Sequence, residues 1–194
     1  MNTATDLRIK KTYLALHNAF TELLDKQRFE DFTVNELCDL AMIRRATFYK
    51  HFADKYDYFA FYAKEMVEEF QSQLPPVSQK DAHEYLLSMC HQLLQFMSQH
   101  KKMVLNIKNS TVFHILLSIL VEQTSHDVIQ VLYQSESKKN ISKKQLKNLA
   151  SFYVGGIINV VLGNLHPDGS PDEELLTSVQ SILCSLSSAT LENS

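Results

Sequence analysis

Residues that break helices are scarce in this chain: its 194 residues include 4 glycines and 4 prolines. A sheet-rich fold needs many tight turns, and tight turns use these two residues most. Apolar side chains instead recur at steps of three and four, for example at Tyr13, Leu16 and Phe20, which is the period of a helix with one buried face. The sequence therefore predicts an all-α protein.

The composition narrows the class of protein further. Hydrophobic residues make up 45% and charged residues 21% of the chain, which is the balance of a globular protein rather than a disordered or fibrous one. The three cysteines are widely spaced and the first residues are polar and charged, so we expect a reduced, cytoplasmic setting. Polar residues interrupt the longest apolar runs, 112–121 and 154–165, so we expect no membrane association.

The first part of the chain has the pattern of a helix-turn-helix. The periodicity predicts a first helix over about Asp6–Lys26 and a second over about Val34–Ala41, which Thr33 and Glu36 would open as a capping box. A third short helix begins near Arg45. Two short helices joined by about three residues, after a longer supporting helix, place the second of them in a DNA major groove.

A fourth helix, capped by Asp54, stops before Pro75-Pro76, and the composition then shifts toward leucine, serine and glutamine. Further helical segments are predicted over residues 81–99, 103–108, 111–133, 143–165 and 172–191, with loops at 135–142 and 166–171. We therefore predict two domains. Residues 1–55 form a three-helix DNA-binding domain, and residues 56–194 form a helical bundle.

Charge is distributed unevenly along the chain. The net charge is −3, but residues 1–55 carry nine Lys or Arg against eight Asp or Glu, and one short basic stretch contains a single acid, Asp54. Its positive or titratable members are Arg44, Arg45, Lys50, His51 and Lys55. An isolated cluster of this kind is more often a solvated charged face. The helix-turn-helix pattern around it favours DNA binding instead.

A recognition helix needs hydrogen-bond donors near its N-terminus. Arginine can bind guanine O6 and N7 in a bidentate manner, and helix N-termini favour phosphate oxygens, which suits Thr33 and Lys55. The predicted DNA-binding residues are Thr33, Asn35, Arg44, Arg45, Thr47, Tyr49, Lys50, His51 and Lys55. The matching core comprises Leu37, Cys38, Ala41, Ile43, Phe48 and Phe52.

The segment Thr33–Phe52, followed by Lys55, closely resembles the DNA-binding segment of the TetR family of bacterial transcriptional regulators. The most specific parts are the threonine that opens the second helix, the triplet Thr47-Phe48-Tyr49 and the closing Phe52. Downstream, the run 152–158 resembles the second-last helix of one group of these regulators. The resemblance implies that residues 56–194 are a ligand-binding, or effector, and dimerisation domain, and that the last two helices of each subunit form a four-helix bundle in a dimer.

Two residues depart from the pattern of the family. Met42 stands where the family usually has glycine. The family uses glycine because the turn commonly needs a positive φ, which costs a non-glycine residue on the order of 1 kcal/mol. Arg44 replaces the usual serine cap and cannot accept hydrogen bonds from the third helix, but it adds a cation facing DNA. Either the turn is altered or the strain is carried, and we expect both departures to concern the target sequence more than the mode of binding.

The second domain offers candidates for a dimer interface and for a ligand site. Gly155 and Gly156 each cost roughly 1 kcal/mol inside a helix, which close packing against a second helix would explain. The predicted interface residues are Gly155, Ile158, Leu162, Val179, Ile182 and Leu186. The alternative is that these residues are buried only by contacts within one subunit. The ligand candidates are Tyr62, Met66, His91, His114, Tyr133 and Tyr153, although a residue of this kind is more often an ordinary core or surface residue.

These features favour a sequence-specific transcriptional regulator that binds double-stranded DNA as a homodimer. Repression is favoured because a dimer on a palindrome occludes polymerase, and a small-molecule effector would release it by changing the spacing of the recognition helices. The alternative is an interaction protein that recruits a protein partner through its acidic C-terminal domain. No enzyme, cofactor or metal site is expected, since there is no nucleophile elbow, phosphate loop or metal-ligand spacing.

Overall fold

The computed structural model describes residues 3–76, 82–135, 142–168, 170 and 174–191. Within these residues the chain forms nine α-helices, one short 3-10 helix at Phe29–Asp31 and no strand, which confirms the all-α prediction. The helices are α1 (Thr3–Lys26), α2 (Val34–Leu40), α3 (Arg45–Tyr49), α4 (Lys55–Ser72), α5 (Ala82–Gln99), α6 (Lys101–Lys108), α7 (Phe113–Ser135), α8 (Lys143–Gly163) and α9 (Leu175–Leu191).

Most helix ends lie within two or three residues of their predicted positions. The start of α8 has a capping box between Ser142 and Gln145 that mirrors the predicted one at α2. The residues predicted to begin the fifth and ninth helices, Asp81 and Asp172, lie outside the described residues, as does most of the loop 135–142.

The chain divides into two compact units, and the first comprises residues 1–65 and 100–117. Its core is aromatic and centres on Phe20 of α1, whose ring meets Tyr58 and Tyr62 of α4 at 4.9 Å and Phe32 at 5.4 Å. All four rings are buried. Edge-on ring pairs of this kind add to the free energy gained by burial alone, and they fix α1 against α4.

The segment 100–117 is part of this unit although it lies far away in sequence. The Asn106 side-chain amide donates to the Leu24 carbonyl at 2.7 Å, and the Phe29 amide donates to the Ser110 hydroxyl at 3.1 Å. Thr111 donates its backbone N–H and its hydroxyl to the Glu30 carboxylate at 2.5 and 2.6 Å. The first compact unit is therefore larger than the predicted domain 1–55, because these contacts add a distant piece of chain.

The second unit comprises residues 66–99 and 118–194, and in it α5 packs against α8 and α9. A polar cluster joins three of its helices: the Gln71 amide donates to the Asp127 carboxylate at 3.0 Å, and the Tyr85 hydroxyl donates to the same oxygen at 3.3 Å. Burial, with the Asp127 carboxylate beside it, raises the pKa of the Tyr85 hydroxyl. The cluster is thus a set of neutral donors around one carboxylate.

Two helical segments, Phe113–Tyr133 and Lys143–Gly163, are long and apolar enough to cross a membrane by length and composition alone. This differs from the expectation that polar interruptions would leave no such segment. The same composition is typical of core helices, and one third of each apolar window is buried by the rest of the chain. The prediction that the protein has no membrane association remains a prediction.

Candidate DNA-binding site

The turn between α2 and α3 is a Schellman motif. The Ile43 amide donates to the Cys38 carbonyl at 3.0 Å and the Met42 amide donates to the Asp39 carbonyl at 3.2 Å, which are the two hydrogen bonds that define the motif. Met42 occupies its left-handed position with φ of 53°, as the glycine pattern predicts, and it is the one non-glycine residue with positive φ in the described part of the chain. The altered sequence therefore keeps the turn and carries the strain.

The buried side chain of Phe48 anchors the third helix, α3, to the core of the first unit. This side chain is fully buried, with its ring 5.6 Å from Phe52 and 5.9 Å from Tyr58. Leu37, Cys38 and Ala41 of the predicted core are also buried, and Ile43 is half-buried. The predicted core thus holds α2 and α3 in a defined orientation, and burial raises the pKa of the Cys38 thiol.

The opposite face of this segment is open and basic. Arg44, Arg45, Tyr49 and Lys50 are exposed, and Thr47 is half-buried between them. Arg44 is the N-cap residue of α3 and, as predicted, makes no side-chain capping hydrogen bond. The structure therefore places the predicted base-reading residues on a rigid, solvent-facing element.

The start of α2 shows the capping box in full. The Thr33 hydroxyl accepts from the Glu36 amide at 3.2 Å and donates to the Glu36 carboxylate, which also accepts from the Thr33 amide at 2.7 Å. These bonds lower the pKa of Glu36. An ionised carboxylate thus occupies the helix N-terminus that was predicted to attract phosphate through Thr33, while Asn35 beside it is exposed.

Lys55 differs most from its predicted role as a phosphate contact. Its ammonium group donates to the carbonyls of Phe29 and Phe32, each at 2.8 Å, and lies 3.5 Å from the Glu30 carbonyl. It also lies 4.5 Å from the centre of the Phe29 ring. Burial lowers the pKa of this ammonium, although the Glu30 carboxylate opposes the shift. The ammonium group thus faces backbone carbonyls inside the unit, and Lys55 connects the start of α4 to residues 29–32, which precede α2.

His51 lies two residues after the end of α3 and is half-buried. Its Nδ1 atom is 3.4 Å from the Tyr13 hydroxyl, and the two rings meet edge-on at 5.5 Å. The residue therefore joins α3 to α1, and this packing limits how far it can reach toward a phosphate.

Two solved structures are similar to this chain over nearly its whole length. One is described as the dihydroxyacetone kinase operon activator DhaS, with a TM-score of 0.61 and 15% identity, covering 90% of this chain and 95% of that one. The other is the TetR family repressor AlkX from Dietzia sp. strain DQ12-45-1b, implicated in biodegradation of n-alkanes, with a TM-score of 0.59 and 17% identity, covering 93% and 95%. This chain has the TetR fold. No model of a known family and no curated protein matches its sequence.

Within the TetR fold of this chain, the six ligand candidates do not share one site. Tyr62 is buried in the first unit, where its hydroxyl lies 2.9 Å from that of Thr21 and donates to the Met103 sulfur at 3.6 Å, so it is a core residue. His114 belongs to the same unit and is exposed. The other four belong to the second unit: Met66 and Tyr153 are half-buried, while His91 and Tyr133 are exposed. His91 lines a cavity of about 340 Å³, and Tyr153 lines a separate groove of about 110 Å³.

The six dimer candidates also divide. Ile158 and Val179 are buried within the single chain, so they pack α8 and α9 and offer no surface to a partner. Gly155 and Leu162 are half-buried, Ile182 is 48% exposed, and the Leu186 side chain lies outside the described part of the structure. Phe152, which the sequence analysis did not select, is 64% exposed on the same helix as Gly155.

The cysteines and histidines form no further site in the described residues. Cys38 and Cys90 are buried, while the exposed Cys184 has its sulfur 3.8 Å from Nε2 of His83. Within the described ranges, no group of three or more His, Cys, Asp or Glu residues is placed to hold a metal ion.

Proposed function

We propose that this chain is a sequence-specific DNA-binding transcriptional regulator. The observation that carries the proposal is α3, a short helix anchored by buried Phe48 that presents exposed Arg44, Arg45 and Lys50 directly after a Schellman turn. A recognition helix needs this combination of rigid support and donors near its N-terminus. The TetR fold supports the proposal, since both similar structures are those of transcriptional regulators, an operon activator and a repressor.

We further propose that the regulator is a homodimer that uses the outer face of α8 and α9. A Cβ atom added at Gly155 or Gly156 would meet nothing within 4 Å, so packing inside the chain does not require either glycine. Beside them, Phe152 and Ile182 are exposed and line a shallow apolar groove of about 110 Å³. A second copy packed closely there would explain both the glycines and the exposed apolar side chains.

Repression with release by a small-molecule effector completes the proposal. A dimer bound to a palindrome blocks polymerase without further contacts, and an effector would act by changing the separation of the two recognition helices. The second unit contains a cavity of about 340 Å³ whose lining includes the apolar Leu87 and Leu176 and the polar Ser88 and His91. This size is at the lower end for small-molecule sites, which span roughly 300–1,000 Å³.

The first test is selection of binding sequences from random DNA duplexes by the purified full chain. The proposal expects a palindromic sequence bound by two chains, which sedimentation of the complex measures. Arg45→Ala should then weaken binding by about 1–3 kcal/mol and relax the preference at one base pair. Lys26→Ala is the matched control, because it removes an exposed cation of the same unit far from α3 in sequence. Failure to select any sequence would refute the proposal.

The effector is tested separately, by screening small molecules for those that raise the unfolding temperature and release bound DNA. Ser88→Trp should abolish both effects by filling the cavity, whereas Tyr133→Trp, an exposed site in the same unit, should abolish neither. A regulator that binds its operator, responds to no small molecule and loses regulation when exposed C-terminal residues change would instead use a protein partner.

A further inference from the structure

Met42 combines two features that are unfavourable for an isolated chain. Its backbone has φ of 53°, a conformation that glycine adopts without strain and methionine does not. Its side chain is also 92% exposed, so no packing within the chain offsets the strain or shelters this apolar group from water. Strained residues of this kind concentrate at functional sites. A contact made outside the chain would account for methionine at this position.

The position of Met42 identifies DNA as the partner for that contact. It precedes Arg44 by two residues, so the two Cα atoms lie within about 7 Å of each other. A recognition helix lies in a major groove roughly 12 Å wide, so a residue this close to the start of α3 falls within the width of the groove. The exposed cations of Arg44 and Arg45 favour the phosphates that border it.

The chemistry of the side chain selects what it can recognise there. Methionine is unbranched, flexible and apolar, and it offers at most a weak acceptor to a base edge. In the major groove, thymine alone among the four bases presents a methyl group. We propose that Met42 contacts the C5-methyl group of a thymine and makes the protein prefer thymine at one position per half-site. This inference rests on the proposed DNA-binding function.

The test uses the full chain, the selected duplex and two variants. Met42→Asn removes the apolar group but keeps a residue that tolerates the left-handed conformation, whereas Met42→Leu keeps an apolar group. In the duplex, each thymine is replaced in turn by deoxyuridine, which lacks only the methyl group. At one position per half-site this should weaken binding of the wild type about fourfold, as expected for removal of one buried methyl group.

Four results decide the inference. It is supported if Met42→Asn binds less tightly than the wild type, no longer distinguishes thymine from deoxyuridine and unfolds at an equal or higher temperature, while Met42→Leu keeps the distinction. It is overturned if Met42→Asn keeps the thymine preference. It is also overturned if that variant loses affinity equally for all sequences or unfolds at a lower temperature, because Met42 would then act through the fold of the turn.

The same experiment separates this inference from the proposed function. If the wild type selects no sequence, both fail together. If the wild type selects a sequence but no thymine can be exchanged for deoxyuridine with a measurable loss, the protein still binds specific DNA and only the role of Met42 is refuted.

Discussion

Replacing Lys55 by methionine tests whether this side chain holds the fold or binds DNA. The variant keeps an apolar stem and removes the ammonium group, which donates to the Phe29 and Phe32 carbonyls at 2.8 Å each. Hydrogen bonds from charged groups contribute about 1.5–3 kcal/mol each, and water can replace part of this at a half-buried site. We therefore expect the free energy of unfolding to fall by about 2–3 kcal/mol.

The assay is urea denaturation of the full chain followed by circular dichroism, at one fixed protein concentration. Lys64→Met is the matched control, because it makes the same change at an exposed position of the same helix and should alter stability by less than about 0.5 kcal/mol. Both variants are then compared with the wild type in the salt dependence of binding to the selected duplex.

The salt dependence separates the two roles of Lys55. A phosphate contact would release a counterion, so its loss would reduce the slope of log affinity against log salt by about 0.9. A residue that only supports the fold leaves the slope unchanged while affinity falls with stability. Unchanged stability together with a shallower slope would refute the structural role and restore the phosphate contact that the sequence predicts.

Two further variants test the first unit and the proposed dimer. Burial raises the pKa of Glu30, but the hydrogen bonds from Thr111 outweigh it and lower the pKa to about 2. A carboxyl group with a lowered pKa stabilises the fold fully above pH 4.5 and loses this effect as the pH falls toward 2. The stability difference between the wild type and Glu30→Gln should therefore shrink over that range in denaturation experiments, and a difference independent of pH would contradict the assignment. Gly156→Ala should stabilise α8 by about 1 kcal/mol, because the added Cβ meets nothing within 4 Å, yet weaken self-association in sedimentation. Tighter or unchanged association would refute close packing at that face.

Local signals predicted much of the local structure of the candidate DNA-binding site. The capping box at Thr33, the start of α3 at Arg45 and the positive φ at Met42 all depend on residues within a few positions of one another. Such short-range patterns act on the backbone directly, through hydrogen bonds and steric limits on φ. The sequence therefore predicted where these helices begin and end.

Long-range contacts were not predictable in the same way. The sequence does not predict the bond between Glu30 and Thr111, because nothing near Glu30 indicates a partner 81 positions away. Lys55 was assigned to phosphate by its place at a helix start, whereas its carbonyl partners lie 23 to 26 positions earlier. Which of several possible partners a side chain takes is decided by the packing of the whole unit.

The hydrogen bonds between Glu30 and Thr111 also limit how early this protein can fold during its synthesis. A ribosome adds about 5–20 residues per second, so roughly 4 to 16 seconds pass between synthesis of the two partners. During that interval the Phe29 amide and the Leu24 carbonyl lack Ser110 and Asn106, their partners in the finished structure. The segment that contains α1 to α3 therefore cannot form all of its contacts until residues 106–111 have been synthesised, and a fragment that ends after α4 would lack these contacts permanently.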